Sequence, residues 1–213
     1  MRVIVPFDSC NPKTRLSEVL SPSEREGFAT AMLADVLDAV DAAAESPTVL
    51  ASGPVGIDAA DTIVDERPLS TAVNDQLRTA TEPVAVLMAD LPLATASALD
   101  RLFSASGEVV LARGVGGGTN ALVVRRPEFT VDYHDASYLD HLAIARDRGL
   151  AVEELDSYSL GIDVDEPADL AEVLLHTDGR SARWLRSAGF TLATDDGRVG
   201  VVRAERPAVE ARE

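Results

Sequence analysis

The chain has 213 residues, 46% of them hydrophobic, and a formal net charge of −17. That length suits one compact domain with a core large enough to need no staples. The charge repels phosphate backbones and argues against a nucleic-acid partner, and no apolar run is long enough to cross a bilayer. A single cysteine, Cys10, excludes an intrachain disulfide and a thiolate zinc cluster. The first residues, MRVIVPFDSCNPK, have a strand-like pattern without signal-peptide architecture, so a cytoplasmic location is expected.

Among the 19 basic residues only Lys13 is a lysine. An acidic, Lys-poor surface suits a salt-rich cytoplasm, where salt screens self-repulsion; a genome-wide coding bias would give the same composition. Lys13 stands out either way, because a compact ammonium is not interchangeable with a guanidinium.

In chain order, residues 2–7 (RVIVPF) read as a buried strand. Ser21-Pro22-Ser23-Glu24 is a capping box with Pro at the first helical position. Behind it Phe28, Met32, Val36 and Val40 keep helical spacing to about Ala43. Strands are expected over 47–52 and 62–65, and a helix over 69–80. The stretch 84–93, VAVLMADLPL, reads as a strand buried on both faces that ends on Asp90. A helix over 95–105 and a strand over 108–112 follow, then the break RGVGGGTN and a strand over 121–125. A helix over 137–148 and a strand over 151–155 come next. Asp163 and Asp165 then follow Leu160-Gly161-Ile162 at what reads as a strand end, and Pro167 starts a helix running to His176. The C-terminal part reads as a short helix and a hairpin turning at Asp196-Gly197, with an acidic tail from Pro207.

Strands alternating with helices at this spacing predict an α/β fold with a mainly parallel central sheet flanked by helices and a small C-terminal hairpin. One domain over 1–213 is expected, with residues of about 177–206 as an appendage. In such sheets ligands bind beyond the carboxyl ends of the strands, where Asp90 would stand, although a turn or capping Asp fits the stretch as well. Lys13 and Arg15, on the loop after the first strand, suit a triphosphate as a point charge and a fork; a solvated basic pair is the alternative. The P-loop spacing is absent. Asp163 and Asp165 lie two apart on an extended segment and point the same way. With Asp90 they can hold one or two Mg²⁺, or they can serve the dipole of the following helix. The run Gly116-Gly117-Gly118-Thr119-Asn120 can present backbone N–H groups to an anion or simply turn the chain. Ser137 can cap its helix or meet an anion there. His134 has no metal-like partner nearby, and His141 and His176 read as surface or packing histidines.

Taken together, VPF…NPKTRLS…LSPSER, MADLPL, GGGTNAL, YHDASYLDHL and GIDVDEPADL make the chain resemble the 2-phospho-L-lactate guanylyltransferase family of coenzyme F-420 biosynthesis. That family belongs to the nucleotide-diphospho-sugar transferase superfamily, alongside molybdenum-cofactor guanylyltransferases. The resemblance covers roughly residues 1–176. It implies a Rossmann-like fold, GTP with Mg²⁺, and attack by the phosphate of a small phosphorylated carboxylic acid on the α-phosphorus, releasing pyrophosphate. It also implies that Lys13 and Arg15 steady the triphosphate and that Asn74 contacts the nucleotide. Asp90, Asp163 and Asp165 would hold Mg²⁺. Thr119 and Ser137, helped by the backbone at His134, would hold the acceptor's carboxylate or phosphate. The acceptor stays open among 2-phospholactate, phosphoenolpyruvate and 3-phosphoglycerate; a sugar phosphate, a molybdenum cofactor and a non-catalytic nucleotide-sensing module are the rival readings. A homodimer is the default for a soluble oligomer.

Overall fold

The computed structural model describes residues 1–134, 136–195 and 197–204. The expected tail from Pro207 and the Asp196 half of the expected turn lie outside the described residues. The elements run β1 (Arg2–Phe7), α1 (Pro22–Ala42), β2 (Pro47–Ala51), β3 (Asp61–Val64), α2 (Leu69–Thr79), β4 (Val84–Leu87) and α3 (Ala96–Ser104). After these come β5 (Val109–Arg113), β6 (Thr119–Val124), α4 (Ser137–Asp147), β7 (Val152–Glu154), the single turn α5 (Tyr158–Gly161) and α6 (Leu170–His176). The chain closes with α7 (Arg180–Ser187) and the pair β8 (Phe190–Asp195) and β9 (Arg198–Arg203). No helix among the described residues is long and apolar enough to cross a membrane.

The seven-stranded sheet has the order β3-β2-β1-β4-β6-β5-β7. Pairings β1–β2, β1–β4, β2–β3 and β5–β7 are parallel, whereas β6 is antiparallel to both β4 and β5. The glycine break therefore joins β5 and β6 as a hairpin, and β6 enters the sheet reversed. Strands β8 and β9 form a separate antiparallel pair.

The continuous apolar runs of β1 and β4 follow from helices on both faces. Val3, Val5, Ala85 and Leu87 pack with Leu33, Val36 and Leu37 of α1 and Leu99 and Leu102 of α3. Their alternates Ile4, Val84 and Val86 pack with Val73 and Leu77 of α2 and Ala145 of α4. A third cluster joins Phe28 and Met32 of α1 to Val173 of α6, Leu185 of α7 and Phe190 of β8. Arg203 of β9 clamps this C-terminal part to the start of α1 through the Val19 carbonyl at 2.9 Å and the Glu24 carboxylate.

Two expectations are corrected. The strand expected to run from Val84 to Asp90 ends at Leu87, with Met88 adding one bond to the Asn120 carbonyl at 2.9 Å, so Asp90 stands on the loop beyond it. The approach to Asp163 is not a strand end. Residues 158–161 close a helical turn, with Gly161 N–H donating to Ser157 O at 2.9 Å. The extended backbone that follows has no strand neighbour; Val164 N–H instead donates to Asp90 O at 3.1 Å, which ties the two acidic segments together.

Candidate active site

A cavity of about 530 Å³ opens at the carboxyl ends of β1, β2 and β4. Its charged side is built around Lys13. The backbone of Lys13 is left-handed, at φ 54° and ψ 46°, a conformation that side-chain-bearing residues seldom hold and that clusters at functional sites. Its Nζ lies 2.5 Å from Asp90 Oδ2 and 2.8 Å from Asp165 Oδ1, with the side chain 11% exposed. Burial pushes the lysine pKa down, but the charges of Asp90 and Asp165 outweigh it, and the net shift is upward. Lys13 is held as an ammonium. Arg15 Nη1 reaches the other oxygen of Asp165 at 3.0 Å, while most of this guanidinium faces solvent.

The three carboxylates differ in their surroundings. Asp90 Oδ1 is buried and has no hydrogen-bond partner among the described residues. Burial raises the pKa of Asp163 and the charges of Asp90 and Asp165 add to it, against hydrogen bonds from Asn120 Nδ2 at 3.0 Å and from its own backbone N–H. For Asp165, burial pushes upward, but Lys13 and Arg15 win and hold its pKa below the ordinary value. Asp169 Oδ2 accepts from the backbone N–H groups of Asp165 at 2.9 Å and Glu166 at 2.7 Å, which fixes this acidic segment. The ammonium thus sits among the acids expected to share a metal. Among the described residues no group of three His, Cys, Asp or Glu side chains is arranged to hold one.

Asp65 and Arg67 line another part of the cavity. Arg67 donates to Asp65 through Nε at 2.8 Å and Nη2 at 2.5 Å and reaches Asp75 at 3.2 Å. Leu50, Leu69, Ala72 and Met88 give this part apolar walls, a slot suited to a flat ring with a polar edge.

Thr119 and Ser137 also meet. Thr119 N–H donates to Ser137 Oγ at 3.0 Å, and both residues are buried. His141, expected to be a packing or surface histidine, is fully buried and organises this pair. Its Nε2 accepts from Asp132 N–H at 3.0 Å, so in the neutral ring Nδ1 carries the proton and donates to Thr119 Oγ1 at 2.8 Å. Thr119 keeps its own proton to give elsewhere. Tyr133 meets the His141 ring edge-on at 5.1 Å. His134 is exposed and its Nδ1 faces the Asp132 carboxylate. Asn74 binds the Val131 backbone at both ends, Nδ2 to the carbonyl at 2.9 Å and Oδ1 from the N–H at 2.8 Å. Among the described residues, those lining the cavity include Lys13, Arg15, Asp90 and Asp165 but not Asp163, Asn74, Thr119, His134 or Ser137.

Local sequence pattern assigns no role to Arg25, and it names Asn120 only within the glycine run and His141 only as a surface or packing residue. Asn120 Nδ2 donates to Leu160 O and Asp163 Oδ1, both at 3.0 Å, and so couples β6 to the acidic segment.

The sheet order and a cationic and acidic cluster at the strand ends define a nucleotidyltransferase-like α/β protein. Among solved structures, a protein of Desulfovibrio desulfuricans assigned to the nucleotide-diphospho-sugar transferases superposes with a TM-score of 0.70 at 15% identity, over 88% of this chain and 95% of that one. A nucleotidyl transferase from Methanothermobacter gives a TM-score of 0.60 at 15% identity, over 87% and 98%. The family model described as "Guanylyl transferase CofC like" matches residues 1–206, and the chain belongs to that family. A 2-phospho-L-lactate guanylyltransferase of Halomicrobium mukohataei is 61% identical over 97% of this chain and 100% of its own length. That of Haloferax volcanii is 55% identical over 97% and 100%.

Proposed function

We propose that this protein transfers GMP from GTP to 2-phospho-L-lactate, giving lactyl-2-diphospho-5'-guanosine and pyrophosphate. The observation that carries the reading is the buried Lys13 ammonium, bonded to Asp90 and Asp165 on the wall of the cavity. Family membership and relatives of that name over nearly the full chain support the choice of substrates.

In this reaction an oxygen of the acceptor phosphate forms a bond to the α-phosphorus as the bond to the bridging oxygen of pyrophosphate breaks. The nucleophile arrives already ionised, so no side chain needs to supply one or remove a proton. The work left to the protein is positioning and charge neutralisation. Lys13 offers a point charge to the triphosphate, and the exposed fork of Arg15 offers a second. Asp165 holds both cations in place. We assign the acceptor's carboxylate or phosphate to Thr119 and Ser137, with the backbone at His134 beside them; the His141 bond leaves the Thr119 hydroxyl free to donate.

Two cations among three carboxylates leave a net negative cluster, which would repel a triphosphate. Mg²⁺ fits that need, since it takes one or two carboxylates together with substrate phosphates. Asp90 and Asp163 suit it: one carries an unpartnered buried oxygen and the other a carboxylate that burial makes costly to ionise. Asp165 is the third carboxylate of the set. Bound there, Mg²⁺ would supply neutralisation of phosphate charge.

The test is pyrophosphate release at high salt with Mg²⁺, crossing four nucleoside triphosphates against 2-phospholactate, phosphoenolpyruvate, 3-phosphoglycerate and a hexose 1-phosphate. Release confined to GTP with 2-phospholactate supports the reading. Release with another acceptor keeps the chemistry and replaces the substrate.

A further inference from the structure

Arg25 lies in the first turns of α1 and is 9% exposed. Arginine is rarely buried to this extent without a carboxylate partner, and among the described residues none lies within ion-pairing distance of this guanidinium. Its position is also locally unfavourable, since a cation near a helix N-terminus opposes the helix dipole. Its hydrogen bonds go instead to the loop after β1. Nε donates to the Pro12 carbonyl at 3.2 Å, and Nη2 to Asn11 Oδ1 at 3.0 Å. The next residue is Lys13, in its left-handed conformation. On the far side, Leu16 N–H donates to Lys13 O at 3.0 Å, and the Leu16 side chain is fully buried. A strained residue persists only where its surroundings over-determine it; beside the side-chain bonds of Lys13 to Asp90 and Asp165, Arg25 and Leu16 hold the backbone on either side of it.

We propose that Arg25 is the positioning residue for Lys13: by gripping Asn11 and Pro12 it holds the loop in the conformation that carries the Lys13 ammonium to Asp90 and Asp165. The inference rests on Lys13 belonging to the triphosphate site. Arg25 itself is not among the residues lining the cavity, so it acts through the loop. A fork is needed because two acceptors of different residues are met from one side chain, which an ammonium or an amide cannot do with the same geometry.

A double-mutant cycle separates this role from plain support of the fold. Arg25→Met, Lys13→Ala and the double variant are compared by KM for GTP and kcat in pyrophosphate release, with thermal melts alongside. Arg25→Met is expected to raise KM for GTP about tenfold in the parent, yet by less than about twofold when Lys13 is already Ala. Arg25→Lys, keeping one donor, is expected to fall between parent and Arg25→Met. Equal factors in both backgrounds would overturn the proposal while leaving the site intact. An unaltered KM in Lys13→Ala would remove Lys13 from the site and take the proposal with it. Should Arg25→Met not fold, Asn11→Ala removes one of the two bonds from an exposed residue and is expected to raise KM in the same direction by a smaller factor; no change would count against the proposal.

Discussion

Lys13 Nζ and Asp90 Oδ2 are 2.5 Å apart in space and come from residues 77 positions apart in the chain. The sheet makes them neighbours. Strands β1 and β4 pair in parallel, with Arg2 beside Val84 and Ile4 beside Val86, so the loops leaving their carboxyl ends emerge side by side. Two largely apolar, buried runs thus bring a cation and an anion together at the rim, where ligands bind in open sheets.

Asp90→Asn keeps the shape of the side chain and removes its charge. It is predicted to lower kcat by about 100-fold or more, the scale seen when one electrostatic stabiliser is lost. The melting temperature is expected to fall, because the amide no longer compensates the buried Lys13 ammonium, which keeps only Asp165. Pyrophosphate release and thermal melts on the same samples check both parts.

Lys13→Ala is predicted to raise KM for GTP by about 10-fold or more, as a charge-assisted contact is lost. Lys13→Arg is expected not to restore it. A planar fork does not reproduce the two point contacts that the largely buried ammonium makes with Asp90 and Asp165. Initial rates over a GTP concentration series distinguish these outcomes.

Much of this site was legible from local pattern, and the remainder was not, for identifiable reasons. The apolar run of β1 and the capping box of α1 are short-range signals, and those elements formed where expected; the apolar run before Asp90 is as local a signal, although its strand stops at Leu87. The turn at 158–161 was missed because Leu160-Gly161-Ile162 is too short to separate strand from helix by period. The reversed entry of β6 was missed because alternating strands and helices suggest parallel units throughout. Three positions did carry faint local signals. Asn120 is a strand-disfavoured residue inside a strand, Arg25 is a cation near a helix N-terminus, and His141 lies one turn from Ser137 on the same helix face. Their partners were invisible, since the Asn120 bond to Asp163 spans 43 residues.

Gly114→Ala tests the hold on Asp163. A Cβ there would lie 2.3 Å from Asn120 Oδ1, displacing the amide that donates to Asp163. Overpacking of this kind is predicted to destabilise the fold by about 1–3 kcal/mol. Activity is expected to fall beyond what the stability loss explains, and Asn120→Ala to share that activity loss. Denaturant titration and rate measurement in parallel separate the two effects.

Acid stability should fall in two windows. Burial drives the His141 pKa down to about 4 from 6.5, against the opposing charges of Asp140 and Asp132. Its folded pKa is depressed, so the neutral ring's contribution is whole above about pH 6.5 and declines as the pH drops to about 4. The Arg203 hydrogen bond, aided by the Ser21 backbone N–H, lowers Glu24 from 4.5 to about 2. That contribution is whole above pH 4.5 and declines towards 2. Unfolding free energy measured against pH should therefore decline from near neutrality, at up to about 1.4 kcal/mol per pH unit for each group. His141→Asn is expected to flatten the upper window alone, and Arg203→Met the lower.

The central claim is that the Lys13–Asp90 site transfers GMP to a phosphorylated acid, and single-turnover product analysis tests it most directly. GTP labelled at the α-phosphorus is mixed with excess protein, Mg²⁺ and 2-phospholactate, and the label is followed by chromatography. The account predicts label in a guanosine diphosphodiester with one pyrophosphate released, and none of that product with Asp90→Asn on the same timescale. Label remaining in GTP, or passing to water as GMP whether or not 2-phospholactate is present, from folded protein would contradict it.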